Sequence, residues 1–163
     1  MKFLECTVYF LITGAVGFVL GRLLPKRWFR AEKFPYCSFS FERQGRIYER
    51  IGIRYWHKKV VDMSRLLPFC MPPKNLRGQY DKRLPRMLQE TCVAETVHVL
   101  LCVSGLYCMR LWPGVGGMVV WVLYTVVFNL PYILIQRYNR PRLLHLQTRL
   151  QCRKRRGELG CAF

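Results

Sequence analysis

The residues with the most chemical potential are Glu95 and His98, set inside an otherwise apolar stretch from about Thr91 to Met109. Three positions apart, they share one face of a helix. His98 falls about seven residues into that stretch, roughly 10 Å along a helix that rises about 1.5 Å per residue. Ionisable groups at such depth in a bilayer cost a few kcal/mol, face protein or a water-filled cavity, and are functional candidates by default. A glutamate bonded to one imidazole nitrogen fixes the tautomer and raises the basicity of the other. A histidine so held can take the proton from a hydroxyl nucleophile, the general-base step of acyl transfer. Glu90, at the mouth of the stretch, is a second carboxylate. The bland alternative is a structural hydrogen bond between helices, for example Glu95 or His98 with Asn129, contributing roughly 1 kcal/mol in a membrane. Spacing alone leaves the two readings level.

A second constellation closes the apolar run Val115–Ile135, which contains no charged residue and is long enough for a hydrocarbon core of about 30 Å. Asn129 and Pro131 interrupt it, and then Gln136, Arg137, Tyr138, Asn139, Arg140, Pro141 and Arg142 arrive together. On a helix, Asn129, Tyr132 or Ile133, Gln136 and Arg140 form a polar stripe descending from the headgroup level. Three guanidinium groups there suit recognition of a phosphate or carboxylate. An ordinary positive anchor needs only charge, so Gln136, Asn139 and a bend at Pro141 favour a binding role.

The elements that must position these groups follow from composition. The 163 residues are 52% hydrophobic yet carry a net charge of +18, and the two properties segregate along the chain. Lys and Arg number one in residues 1–21, seventeen in 22–90, one in 91–136 and eight in 137–163. Basic segments between and after apolar ones are the pattern of a membrane protein with its positive loops on the cytoplasmic side. Nucleic acid is not the expected partner: no zinc, helix-turn-helix or RNA-binding signature accompanies the charge. An anionic leaflet, attracting about 1 kcal/mol per basic residue near its surface, accounts for it. The eight cysteines form no C-x-x-C pair and no zinc spacing, so reduced thiols and no metal site are expected.

The expected architecture is all-α, a small integral membrane protein of about three spans. Residues 1–24 form the first, with an apolar run Val8–Leu24 in which Gly14, Gly17 and Gly21 suit close helix packing. Glu5 and the lack of a strong cleavage site favour an uncleaved span over a signal peptide. Residues 25–90 form a basic interfacial region. Within it, Glu42–Trp56 reads as one amphipathic helix with Ile47, Tyr48, Ile51 and Tyr55 on its apolar face, weakened at Gly52. Pro68, Pro72 and Pro73 mark a loop, and Asp81–Glu90 resumes a helix. Residues 91–143 form a transmembrane hairpin turning at Arg110–Gly114, and residues 144–163 a basic cytoplasmic tail. Three spans with the N-terminus outside place every basic segment in the cytoplasm.

The string NLPYILIQRYNRPRL (Asn129 to Leu143) closely resembles the signature of the glycosyl-4,4'-diaponeurosporenoate acyltransferase family, which contains the last enzyme of staphyloxanthin biosynthesis. The resemblance extends to SFSFERQGRIYERIGIRYWHKKVVD (Ser38 to Asp62), YDKR (Tyr80 to Arg83), ETCVAETVH (Glu90 to His98) and KRRGE (Lys154 to Glu158), roughly two thirds of the chain. Ser38, Phe39, Phe41, Glu42, Gly45, Trp56, Lys58, Glu90, Thr91, Ala94, Glu95 and His98 match the family pattern. The resemblance implies a membrane enzyme that esterifies a fatty acyl group onto a sugar hydroxyl of a glycosylated carotenoid or related glycolipid. It brings no catalytic residues with it. The candidates from the residues themselves are His98 as base, with Glu95 and Glu90 as catalytic carboxylates. Asn129, Gln136, Arg137, Tyr138, Asn139, Arg140, Arg142 and Trp56 are the substrate-binding candidates. No bound cofactor is expected; the acyl donor, an acyl-coenzyme A or a phospholipid, is a co-substrate. Membrane lipids are the expected surroundings, and a homo-oligomer is plausible with so few spans. The competing reading is a non-catalytic membrane protein that binds anionic lipid or a partner subunit through its basic surface.

Overall fold

The computed structural model describes residues 1–56 and 80–160. The proline loop at Pro68, Pro72 and Pro73, together with Lys58, Cys70 and Cys161, lies outside the described residues. All regular structure among the described residues is helical. The α-helices among the described residues are α1 (Lys2–Leu23), α2 (Arg46–Arg50), α3 (Ile53–Trp56), α4 (Tyr80–Gly105), α5 (Cys108–Leu111), α6 (Val115–Leu123) and α7 (Leu130–Gly160). A π-helical turn, Tyr124–Asn129, joins α6 to α7. Three stretches, Lys2–Leu23, Arg83–Leu111 and Val115–Arg156, are long and apolar enough to cross a membrane.

Contacts divide the chain into two units. The first takes Met1–Phe29 and Cys92–Gln136. Its surface is greasy: Leu4, Leu11, Leu23, Val103, Val115 and Phe128 are all exposed, while Glu95 and Asn129 are buried. Apolar outside and polar inside is the arrangement for a lipid solvent, which cannot satisfy a polar group. Small residues let the helices close up. A Cβ on Gly17 would stand 3.2 Å from Leu101 and 3.3 Å from Val97, and one on Gly21 would stand 3.4 Å from Val97. Gly14, the third of the expected series, has nothing within 4 Å and faces outward. The unit is pinned by Tyr9, whose hydroxyl donates to the Ser104 carbonyl at 2.9 Å, and by Phe10 stacked on Tyr124 at 3.8 Å. Trp121 Nε1 donates to the carbonyl of Cys102 at 3.0 Å.

The second unit takes the described residues of Arg30–Thr91 and Arg137–Phe163. Ile53, Leu84, Leu88 and Tyr138 are buried in it. Here the expected single helix over Glu42–Trp56 is corrected. It breaks into a 3-10 turn (Ser40–Gly45), α2 and α3. Both breaks fall at glycines with positive φ, Gly45 at 90° and Gly52 at 68°, a conformation an α-helix cannot contain. The expected apolar face is lost with the helix: Tyr48 and Ile53 are buried, whereas Ile51 and Tyr55 are exposed. Pro141 is the second difference. It lies inside α7, which runs on past the expected bend to Gly160. An interior proline costs about 3 kcal/mol; on either side of it Arg140 bonds to Thr91 and Tyr36, and Arg142 pairs with Glu49.

Candidate active site

The membrane unit brings His98 and Asn129 together. Pro131 is the local cause. It supplies no N–H, and its ring would crowd the carbonyl of Val127, which lies in the π-helical turn Tyr124–Asn129. The wider turn relieves that crowding and redirects the side chain at its end. Asn129, 1% exposed, donates from Nδ2 to the Tyr124 carbonyl at 3.2 Å. Its Oδ1 lies 3.0 Å from Nδ1 of His98 on α4, a hydrogen bond between the two helical segments. The Tyr132 ring, one turn further on, stacks on the imidazole with centroids 4.7 Å apart and planes within 5°. A half-buried histidine is thus fixed by one amide and one aromatic face. Its Nε2 makes no hydrogen bond among the described residues.

Glu95, one turn before His98 on α4, is buried. It does not hold Nδ1, as its expected orienting role requires; Asn129 does. Asn129 is therefore the partner of the histidine, and their bond is the contact between helices that the structural alternative named. Gln136 is half-buried at the end of the same unit.

In the second unit the three arginines are engaged by the protein itself. Arg137 donates from Nη1 to Oε1 of Glu42 at 2.6 Å and from Nη2 to the Pro35 carbonyl at 2.9 Å. Its guanidinium carbon lies 4.8 Å from the centroid of the Phe39 ring. Arg140, 2% exposed, donates from Nε to the Thr91 hydroxyl, from Nη2 to the Thr91 carbonyl and from Nη1 to the Tyr36 carbonyl. Arg142 pairs with Glu49 and lies over the buried Tyr138 ring. Asn139 is half-buried between them in sequence. Glu90 accepts from Arg86 at 3.2 Å one turn earlier on α4. Trp56 donates from Nε1 to the Ile51 carbonyl at 3.1 Å, closing α3.

The residue that spacing did not single out is Glu42. It is buried and accepts from the Tyr48 hydroxyl at 2.5 Å, from Arg137, and through Oε2 from the Phe39 N–H at 3.0 Å. Burial pushes the Tyr48 phenol up strongly, with the hydrogen bond to Glu42 and its negative charge adding to the shift. Gly45 lets this loop reach α7. A Cβ there would meet the Tyr138 carbonyl oxygen at 3.4 Å, on a backbone already at positive φ. The sequence did hold a signal: in a chain with 27 Lys and Arg but 9 Asp and Glu, a buried carboxylate finds an arginine partner. Among the described residues no group of three or more His, Cys, Asp or Glu could hold a metal ion.

His98, held by Asn129 and stacked on Tyr132 in a unit of apolar helices, sets the site in a membrane protein, and comparison with known proteins gives the reaction class. Residues 25–149 match the family glycosyl-4,4'-diaponeurosporenoate acyltransferase, and the chain belongs to that family; it is an acyltransferase. A relative of that name in Staphylococcus aureus (strain MRSA252) is 30% identical over 154 residues, covering 94% of this chain and 90% of the relative. The one in strain N315 is 31% identical over 160 residues with the same coverage. No solved structure matches. Membership decides against the non-catalytic anchor.

Proposed function

We propose that the protein transfers a fatty acyl group to a sugar hydroxyl of a glycosylated carotenoid acid or related glycolipid, with His98 as general base. The observation that carries this reading is the pinned histidine: Nδ1 is held by Asn129, so Nε2 is the nitrogen left to act. In the reaction, Nε2 takes the proton as the sugar oxygen attacks the acyl carbonyl carbon. The tetrahedral intermediate then collapses, the bond to the donor's leaving group breaks, and the proton passes from Nε2 to that group. The products are the sugar ester and the protonated leaving group, a thiol from an acyl-coenzyme A or a lysolipid hydroxyl from a phospholipid. General-base assistance of this kind contributes about 10²- to 10⁴-fold.

Glu95 and Glu90 remain the candidate carboxylates. Glu95 is the better placed of the two in chemical terms, because it is buried in the same unit as His98. Gln136, Tyr138, Asn139 and Trp56 remain candidates for substrate contact. The engaged guanidinium groups of Arg137, Arg140 and Arg142 weigh towards shaping the headgroup-level backbone rather than gripping a donor. The setting proposed is the cell membrane, with the basic segments facing the cytoplasm and the enzyme among membrane lipids, as a single chain or a homo-oligomer.

The test is acyl transfer in isolated membranes carrying the chain or its His98→Ala variant at equal abundance. Loss of about 10²-fold or more is expected. Full activity in the variant would remove His98 as the base.

A further inference from the structure

We propose that Asn129 is a positioning residue that locks His98 in the tautomer with the proton on Nδ1, and that the π-helical turn before Pro131 exists in this chain to make that lock. The inference rests on the reading of His98 as base and deepens it. The Tyr124 carbonyl can only accept, so the amide group 3.2 Å away must present its N–H to it. That fixes the amide's orientation and turns Oδ1, another obligate acceptor, towards His98 at 3.0 Å. Nδ1 must then be the donor, and a neutral ring with its proton on Nδ1 carries its lone pair on Nε2.

Each link has a structural cause. Asn129 is 1% exposed, so an unpaired amide there is costly and both of its bonds are strongly favoured. The donor bond runs five residues back, to the first residue of the widened turn. Tyr132 stacked on the imidazole resists rotation of the ring out of the bond. The substrate hydroxyl must therefore approach the edge of the ring opposite Asn129.

The tautomer is read directly by ¹⁵N NMR of histidine-labelled protein in lipid, with the His98 signals assigned by their loss in His98→Gln. The wild-type ring should show a protonated Nδ1 and a bare Nε2. Asn129→Leu, which removes both bonds at nearly constant volume, should show the Nε2–H form and a kcat lower by about 10- to 100-fold, with KM little changed. Asn129→Asp keeps an acceptor towards Nδ1 while losing the N–H that bonds the Tyr124 carbonyl, so it should keep the Nδ1–H tautomer and a kcat above that of Asn129→Leu. A wild-type ring protonated on Nε2 would overturn the proposal whatever the variants do. So would an Asn129→Leu protein with wild-type spectrum and kcat, or an Asn129→Asp protein whose His98 carries its proton on Nε2. The failures are distinguishable: an active His98→Ala enzyme removes the base reading, whereas an inactive one beside a normal Asn129→Leu enzyme removes only the lock.

Discussion

Arg137 on α7 reaches back 95 residues to Glu42, Nη1 to Oε1 at 2.6 Å, and the pair is largely shielded from solvent, with the side chains 14% and 3% exposed. This ion pair joins the loop before α2 to the long C-terminal helix. Removing one partner of a buried pair leaves a stranded charge and costs about 3–5 kcal/mol, whereas replacing both is often neutral. Glu42→Gln should therefore lower stability by about that amount in detergent-solubilised protein, measured by denaturant unfolding. Adding Arg137→Met should restore much of it. A Glu42→Gln protein of unchanged stability but weakened donor binding would instead make Arg137 a ligand for substrate.

Gly45 is expected to be intolerant of any side chain. Its φ of 90° disfavours L-residues, and a Cβ would press on the Tyr138 carbonyl at 3.4 Å. Gly45→Ala should cost about 1–3 kcal/mol, the range for a residue held in a sparsely populated backbone region. The matching change at Gly14, inside α1 where a Cβ meets nothing, should leave thermal stability unaltered or raise it by up to about 1 kcal/mol, Ala being the better helix former. Equal effects at the two positions would contradict the packing described.

Tyr48 ties stability to alkaline pH. Burial, and then Glu42, hold its phenol protonated beyond the ordinary tyrosine range. The folded state therefore keeps a proton that the unfolded chain releases above about pH 10. The stability this contributes is intact below that pH and falls as pH rises above it. Unfolding followed from pH 8 to 11 should show the decline, and Tyr48→Phe should reduce its slope. A phenol that titrates normally in the folded protein, seen by tyrosinate absorbance, would contradict the buried Tyr48–Glu42 bond.

Thr91 supplies Arg140 with two acceptors, its hydroxyl at 3.1 Å from Nε and its carbonyl at 3.1 Å from Nη2. Thr91→Val keeps the shape and the carbonyl but removes the hydroxyl. The expected cost is about 1–3 kcal/mol, because the lost acceptor served a buried charged donor. Unfolding of the variant checks it, and an unchanged stability would mean that water replaces the hydroxyl.

Local pattern was legible in the sequence, and distant pairing was not. The three apolar stretches follow from hydropathy, and the small-residue face of α1 follows from Gly17 and Gly21 at four-residue spacing, both of which pack on α4. His98 stood out because an ionisable group in an apolar helix needs a reason. Its partner did not declare itself, since Glu95 and Asn129 were both within reach by spacing. The choice between them was made by the π-helical turn, which depends on the carbonyl that Pro131 leaves crowded. Periodicity also misread Glu42–Trp56, because a 3.6-residue count does not see that Gly45 and Gly52 take positive φ. The bond of Arg137 to Glu42 was not legible either, because charge is visible in a sequence and a counter-charge 95 residues away is not.

The central claim is that this chain acylates a glycolipid through His98. Lipid mass spectrometry tests it most directly, on cells of a host that makes a glycosylated carotenoid acid, expressing either the chain or its His98→Ala variant. The account predicts a gain of one fatty acyl mass on the glycoside with the native chain and none with a variant present at equal level. A native chain that is stably inserted yet adds no acyl group to the glycoside, or a His98→Ala variant that adds it as well as the native chain, would contradict it.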